Sequence, residues 1–177
     1  MCPWQLAATG MFSLETRGIH VLDVGNGTRV SNFPFLNQHL LNSKNSSTGG
    51  GLGRAIRLLK TLKADADKAI EISSYDIAAI AWNMNDTALV STVGGSFRLA
   101  NNCSQFLLSL IAGEGTELKK LNVPNQTRKI VDAEGTTLSA VLSLWYELHL
   151  LLERIKTSGK SVDREYRLAA NSLTIFA

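Results

Sequence analysis

Arg54-Ala55-Ile56-Arg57-Leu58-Leu59-Lys60-Thr61-Leu62-Lys63 and, after a short acidic spacer, Ile72-Ser73-Ser74-Tyr75-Asp76-Ile77-Ala78-Ala79-Ile80-Ala81-Trp82 decide the fold class. In the first stretch Ile56, Leu59, Lys60 and Lys63 recur at helical spacing, and Leu58 and Leu62 widen the apolar face. In the second, Ser73 stands three residues before Asp76, a Ser-x-x-acid capping pattern that leads into an apolar run. The pattern predicts a helix from Tyr75 to about Met84.

Working outward toward the C-terminus, helical spacing continues. A helix over Phe97 to Ala112 puts Leu99, Cys103, Phe106, Leu107 and Leu110 on one face. Pro124 and Asn125 to Thr127 read as a loop. A long helix from Thr137 to Lys156 carries Leu138, Val141, Leu142, Trp145, Leu148, Leu152 and Ile155, and is expected to stop at Gly159. A last helix is expected from Ser161 or Val162 to about Leu173.

Toward the N-terminus the signal changes. Ile19-His20-Val21-Leu22-Asp23-Val24, then Gly25-Asn26-Gly27, then Thr28-Arg29-Val30 place apolar and β-branched residues on both sides of an Asn-Gly turn, which predicts a hairpin. Pro34 ends extended pairing, and the Asn-, Ser- and Gly-rich stretch to Gly53 reads as a loop with a short helix at Phe35 to Asn42. The expected fold is therefore mainly α: a multi-helix body with a short N-terminal β-hairpin. Residues 1–18 are an unplaced N-terminal segment, and 19–177 form the helical domain with its leading hairpin.

Composition agrees with a globular chain. Its 177 residues are 45% hydrophobic and 19% charged, enough to bury a core without a disulfide or metal staple. No apolar run approaches the roughly 18 residues of a membrane span, and Met1 to Met11 lacks the basic start and long apolar stretch of a secretory signal. Cys2 and Cys103 suit a reduced compartment and cannot make a four-ligand zinc site. A cytoplasmic protein is expected. The net charge of +3 permits an anionic ligand without arguing for a nucleic-acid binder.

Catalytic constellations are scarce. His20, His39 and His149 share no metal spacing, and His149 reads as a helix-surface or core-edge residue. Asp65 and Asp67 stand two apart, so on a helix they point roughly 200° away from each other and cannot share one metal. Gly49-Gly50-Gly51 and Gly94-Gly95-Ser96 lack the Lys-Ser/Thr of a phosphate loop and read as flexible connections. One feature stands out. Lys44, Arg54, Arg57, Lys60, Lys63 and Lys68 face only Asp65 and Asp67 in the same stretch. Lys60 and Lys63 share a helix face, with Arg57 one turn earlier. Next come paired serines at a helix start, and then Tyr75. A lysine, hydroxyls and free backbone N–H groups at a helix N-terminus are the parts of a phosphate site, and the adjacent ring offers a surface for a base. The same residues also suit a plain structural role, in which Ser73 and Ser74 only cap the helix, Tyr75 is core and the lysines are solvated.

At these residues the sequence resembles the paired-helix signature of the nucleotidyltransferase family that contains oligoadenylate synthases, cyclic GMP–AMP synthase and their bacterial relatives, within the DNA polymerase β superfamily. The strand ending in Asp23, the turn, Ser31-Asn32-Phe33-Pro34 and His39 are similar to its lead-in. Leu121-Asn122-Val123-Pro124-Asn125-Gln126-Thr127-Arg128-Lys129-Ile130-Val131-Asp132 and the long helix after it look like its closing segment. The resemblance covers roughly Ile19 to Ile155. It implies that Lys60 and Ser74 contact a nucleoside triphosphate, that Tyr75 stacks on its base, and that Mg2+ accompanies the nucleotide.

The family's active site also needs a Gly-Ser turn and three acidic residues on strands, which hold two magnesium ions. These lie upstream of the matched segment. Gly95-Ser96 is followed by no acid-x-acid strand, and Asp23 is the one carboxylate to consider for the third acid, with the Pro34 segment following too closely. No catalytic or metal-binding residue is assigned. The expectation is a helical, triphosphate-cradling half of a nucleotidyltransferase, in a truncated or split form, with self-association through exposed apolar faces. The alternative is a non-catalytic helical interaction domain that self-associates.

Overall fold

Pro34 starts a helix instead of a loop. Its fixed φ suits the first helical turn, where its missing N–H is not needed, and α1 runs Pro34–Ser47, well past the expected end at Asn42. Lys44 shows why. Its ammonium donates to the Met84 carbonyl at 2.7 Å, pairs with Asp86 at 2.9 Å and lies 5.4 Å over the Trp82 ring. Anchoring of this kind overrides the weak helix propensity of the Asn and Ser residues around it. The expected loop up to Gly53 thereby shrinks to residues 48–50. The computed structural model describes residues 18–23, 28–90, 95–131 and 136–173, with side chains described at 18, 33–90, 95–131 and 136–158.

The start of α2 (Gly51–Asp65) is closed by α1's last turn. The Leu52 N–H donates to Thr48 Oγ1 at 3.2 Å and the Gly53 N–H to Asn45 Oδ1 at 2.7 Å. Gly51 is a packing residue and no flexible connection: a Cβ there would lie 1.8 Å from the Leu89 carbonyl oxygen. Only glycine lets α2 come this close to α4 (Asp86–Leu89).

Between them α3 (Ser74–Trp82) is buried at every position from Asp76 to Ala81. A helix apolar all round belongs inside a body; α2 packs directly against it, and both share one core with α5 and α6. On α5 (Ser96–Gly115) the expected face is in place, with Leu99, Cys103, Leu107 and Leu110 buried and Phe106 half-buried. Helical dihedrals end before Ala112, as the sequence predicts. Burial pushes the Cys103 thiol up to about 12, so it is a core side chain and no nucleophile.

The sequence misjudges α6. It runs Leu138–Leu173 as one helix, where two were expected with a break at Gly159. A single interior glycine costs only about 1 kcal/mol against alanine, and no proline follows to turn that cost into a stop. Val141, Leu144, Leu148 and Leu152 are buried, whereas Leu142 and Ile155 are each 45% exposed. Residue 142 sits about 100° around the helix from 141, and Ile155 lies beyond the last buried layer. With Phe97, Leu58 and Leu151, Ile155 borders an apolar groove of about 420 Å³ between α2, α5 and α6.

At the other end β1 (Ile19–Asp23) and β2 (Thr28–Asn32) pair antiparallel, with Ile19 opposite Asn32 and Asp23 opposite Thr28. The Gly25-Asn26-Gly27 turn lies outside the described residues, as do segment 1–17 and the side chains of His20 and Asp23. Among the described residues no helix is long and apolar enough to cross a membrane.

Candidate functional site

The basic stretch divides into two groups. Lys44 is tied to Met84, Asp86 and Trp82, as above. Arg54 donates to the Gly49 carbonyl at 2.7 Å and, more weakly, to that of Gly50. Lys63 donates to the Ile72 carbonyl at 2.6 Å, which ties the last turn of α2 to the segment leading into α3. These three cations serve the fold. Arg57, Lys60 and Lys68 are exposed. Lys60 lies three residues before Lys63, so its backbone is about 4.5 Å back along α2, on the flank that reaches the start of α3. No direct contact joins it to Ser74 or Tyr75 among the described residues.

Ser73 and Ser74 have different roles. Ser73 is the N-cap: its Oγ accepts the Asp76 N–H at 2.9 Å and donates to Asp76 Oδ2 at 2.8 Å, a reciprocal closure of the first turn. Ser74 opens the helix and is exposed. The helix geometry leaves the N–H groups of Ser74 and Tyr75 without intrahelical partners, at the end where the helix dipole favours an anion.

Tyr75, the next residue, is 36% exposed and held from two sides. Its hydroxyl donates to Asn37 Oδ1 of α1 at 3.2 Å, and the Arg128 guanidinium lies over the ring at 5.4 Å. Burial raises the phenol above its usual range, partly offset by the Arg128 charge and a hydrogen bond with Asn125. Near neutral pH the hydroxyl is therefore protonated and available as a donor.

Beneath the ring lies a network that the sequence does not announce. Asp76 is buried, and its Oδ1 accepts from Arg128 Nη2 at 2.6 Å. Its Oδ2 accepts from Thr136 Oγ1 at 3.1 Å as well as from Ser73. One carboxylate thus joins α3 to the loop around Arg128 and to Thr136, two residues before the start of α6. Asp76 was legible as a capping acid through its spacing to Ser73. Its pairing with a residue 52 positions away leaves no local period to read.

The fit of a magnesium ion can be tested against these groups. Both Asp76 oxygens are engaged by the protein, and the described residues contain no group of three or more His, Cys, Asp or Glu side chains that could hold a metal. Asp65 and Asp67 are exposed at the end of α2. These residues do not fit a two-metal cradle, and no step is assigned through one.

A sequence model of the cGAS/DncV-like nucleotidyltransferase C-terminal helical domain matches residues 39–149, more than half of the chain and inside the span of the resemblance. The chain belongs to this family. Among proteins similar to this helical domain is the cyclic dinucleotide synthase CdnE of Yersinia aleksiciae, 33% identical over 121 residues, which are 67% of this chain and 32% of that protein. A c-di-GMP synthase of a Lachnospiraceae bacterium (strain RUG226) is 37% identical over 71 residues, 40% of this chain and 20% of that protein. The solved structure of a STING-associated CdnE c-di-GMP synthase from Capnocytophaga granulosa superposes with a TM-score of 0.70 at 27% identity, over 83% of this chain and 48% of that one. The chain spans a third or less of the length of these two sequence relatives. All the helices that carry Asn37, Lys60, Ser74 and Tyr75 overlap the residues that define the family.

Proposed function

We propose that this helical domain binds the nucleoside triphosphate of a cyclic-dinucleotide-synthase-like nucleotidyltransferase. In this reading Ser74 and the N–H groups at the start of α3 receive the phosphates, Lys60 supplies a positive charge from α2, and Tyr75 carries the base. The observation that supports it most is the junction itself: an exposed hydroxyl, a helix N-terminus and a partly exposed aromatic ring on successive residues, with the exposed Lys60 on the neighbouring helix. An ammonium–phosphate contact is worth about 1.5–3 kcal/mol when partly desolvated, and base stacking about 1–3 kcal/mol. The carboxylates for two-metal chemistry are sought outside the described residues, and any Mg2+ accompanies the triphosphate.

Guanine nucleotides are the natural probe, because two of the relatives are c-di-GMP synthases. In an NMR titration of the whole chain, GTP should bind at least about tenfold more tightly than guanosine, since the phosphates supply the charge-assisted contacts. Equal response to both, or none to either, contradicts the reading. The alternative, a non-catalytic domain that self-associates, draws on the apolar groove beside Phe97 and Ile155, and it expects association that nucleotide leaves unchanged.

A further inference from the structure

The nucleotide reading asks Tyr75 to present a ring face, yet one face is already taken. The Arg128 guanidinium lies over the ring, 5.4 Å from its centroid, from a loop 53 positions further along the chain. That loop is firmly built. The Val123 N–H donates to the Arg128 carbonyl at 3.1 Å, the Ile130 N–H to the Leu121 carbonyl at 3.0 Å, and Asn125 Nδ2 reaches the Phe33 carbonyl at 3.3 Å. Arg128 in turn cannot swing freely. Its Nη2 is held by the buried Asp76 at 2.6 Å and its Nη1 by the Lys129 carbonyl at 2.9 Å. Asp76 follows Tyr75 in sequence and sits in the first turn of the same helix. The ring and the carboxylate that holds its cation are therefore parts of one rigid unit.

We infer that Arg128 is a positioning residue for Tyr75: clamped by Asp76 and seated on one face of the ring, it fixes the ring plane and leaves one face for a nucleobase. This rests on the nucleotide reading above. Asn37 completes the arrangement by accepting from the hydroxyl, so that both the plane and the in-plane direction of the ring are set. A cation on the far face also polarises the ring, and a pre-set platform spares the nucleotide the cost of ordering it.

The test uses the whole chain with GTP and, separately, inorganic tripolyphosphate, which has no base. Arg128→Lys keeps a positive charge for Asp76 while removing the planar cover, and Arg128→Ala removes both. The expected result is GTP binding weaker by about five- to tenfold in both variants, with tripolyphosphate binding in Arg128→Lys unchanged and the Tyr75 ring resonances displaced. Thermal melting identifies a variant that has lost its fold, and Arg128→Lys carries the test if alanine is not tolerated. Equal losses for GTP and tripolyphosphate in folded Arg128→Lys would make Arg128 a phosphate contact and overturn the inference, as would unchanged GTP affinity. Failure of the nucleotide reading is visible without any substitution. In that case the wild-type chain binds GTP no better than tripolyphosphate, and Arg128 has no base platform to position.

Discussion

Asp76 concentrates the physics of this molecule in one side chain. Both oxygens are occupied, by Arg128 on one side and by Ser73 and Thr136 on the other, so the buried charge is paired and hydrogen-bonded as burial requires. Breaking such a pair from one side typically costs about 3–5 kcal/mol. The Arg128 side chain retains 35% of its exposure, so a guanidinium left alone reaches water and the cost is discounted. Asp76→Ala should therefore destabilise the fold by about 2–3 kcal/mol, which includes the lost closure of the α3 cap. Asp86 is the comparison. It pairs with Lys44 at 2.9 Å but is 58% exposed, and Asp86→Ala should cost no more than about 1 kcal/mol. Urea unfolding of the two variants checks the contrast, and similar losses would mean that the Asp76 network carries no special weight.

Among the elements, those set by local chemistry were the ones a reader of the sequence could place. The Ser73 cap, the buried face of α5 and the loop at Pro124 all follow from spacings of a few residues, and the structure has them where expected. Two other elements depended on distant partners or on small energies. The length of α1 follows from Lys44 reaching residues about forty positions away, which no period reveals. The continuity of α6 through Gly159 turns on about 1 kcal/mol, too little for a sequence rule to settle. The proposed site divides in the same way. Ser74 and Tyr75 were legible from their place at a helix start, whereas Arg128 and Asn37 come to Tyr75 through tertiary packing alone. Gly159→Ala gives α6 a direct check. Within a continuous helix it should raise stability by about 0.5–1 kcal/mol, seen as a higher urea midpoint. If the helix ended at Gly159 with a left-handed residue there, the same change would destabilise the protein.

The whole molecule is a helical body in which α2 packs against α1, α3, α4, α5 and α6, with a polar corner where α1, α3 and the Arg128 loop meet. Membership of the cGAS/DncV-like family rests on residues 39–149, a span that holds Lys60, Ser74, Tyr75, Asp76 and Arg128 but not Asn37. In the proposed triphosphate site Lys60 is the residue that tests engagement. The most direct measurement compares GTP dissociation constants of the wild-type chain, Lys60→Ala and Lys68→Ala. Both lysines are exposed, so either change should leave stability within about 0.5 kcal/mol and removes the same charge. A site at the start of α3 predicts a loss of about 10- to 100-fold for Lys60→Ala, the equivalent of about 1.4–2.8 kcal/mol, and little change for Lys68→Ala. Equal losses for the two would mean diffuse attraction to a basic helix, and would contradict the assignment of Lys60, Ser74 and Tyr75 as a nucleotide site.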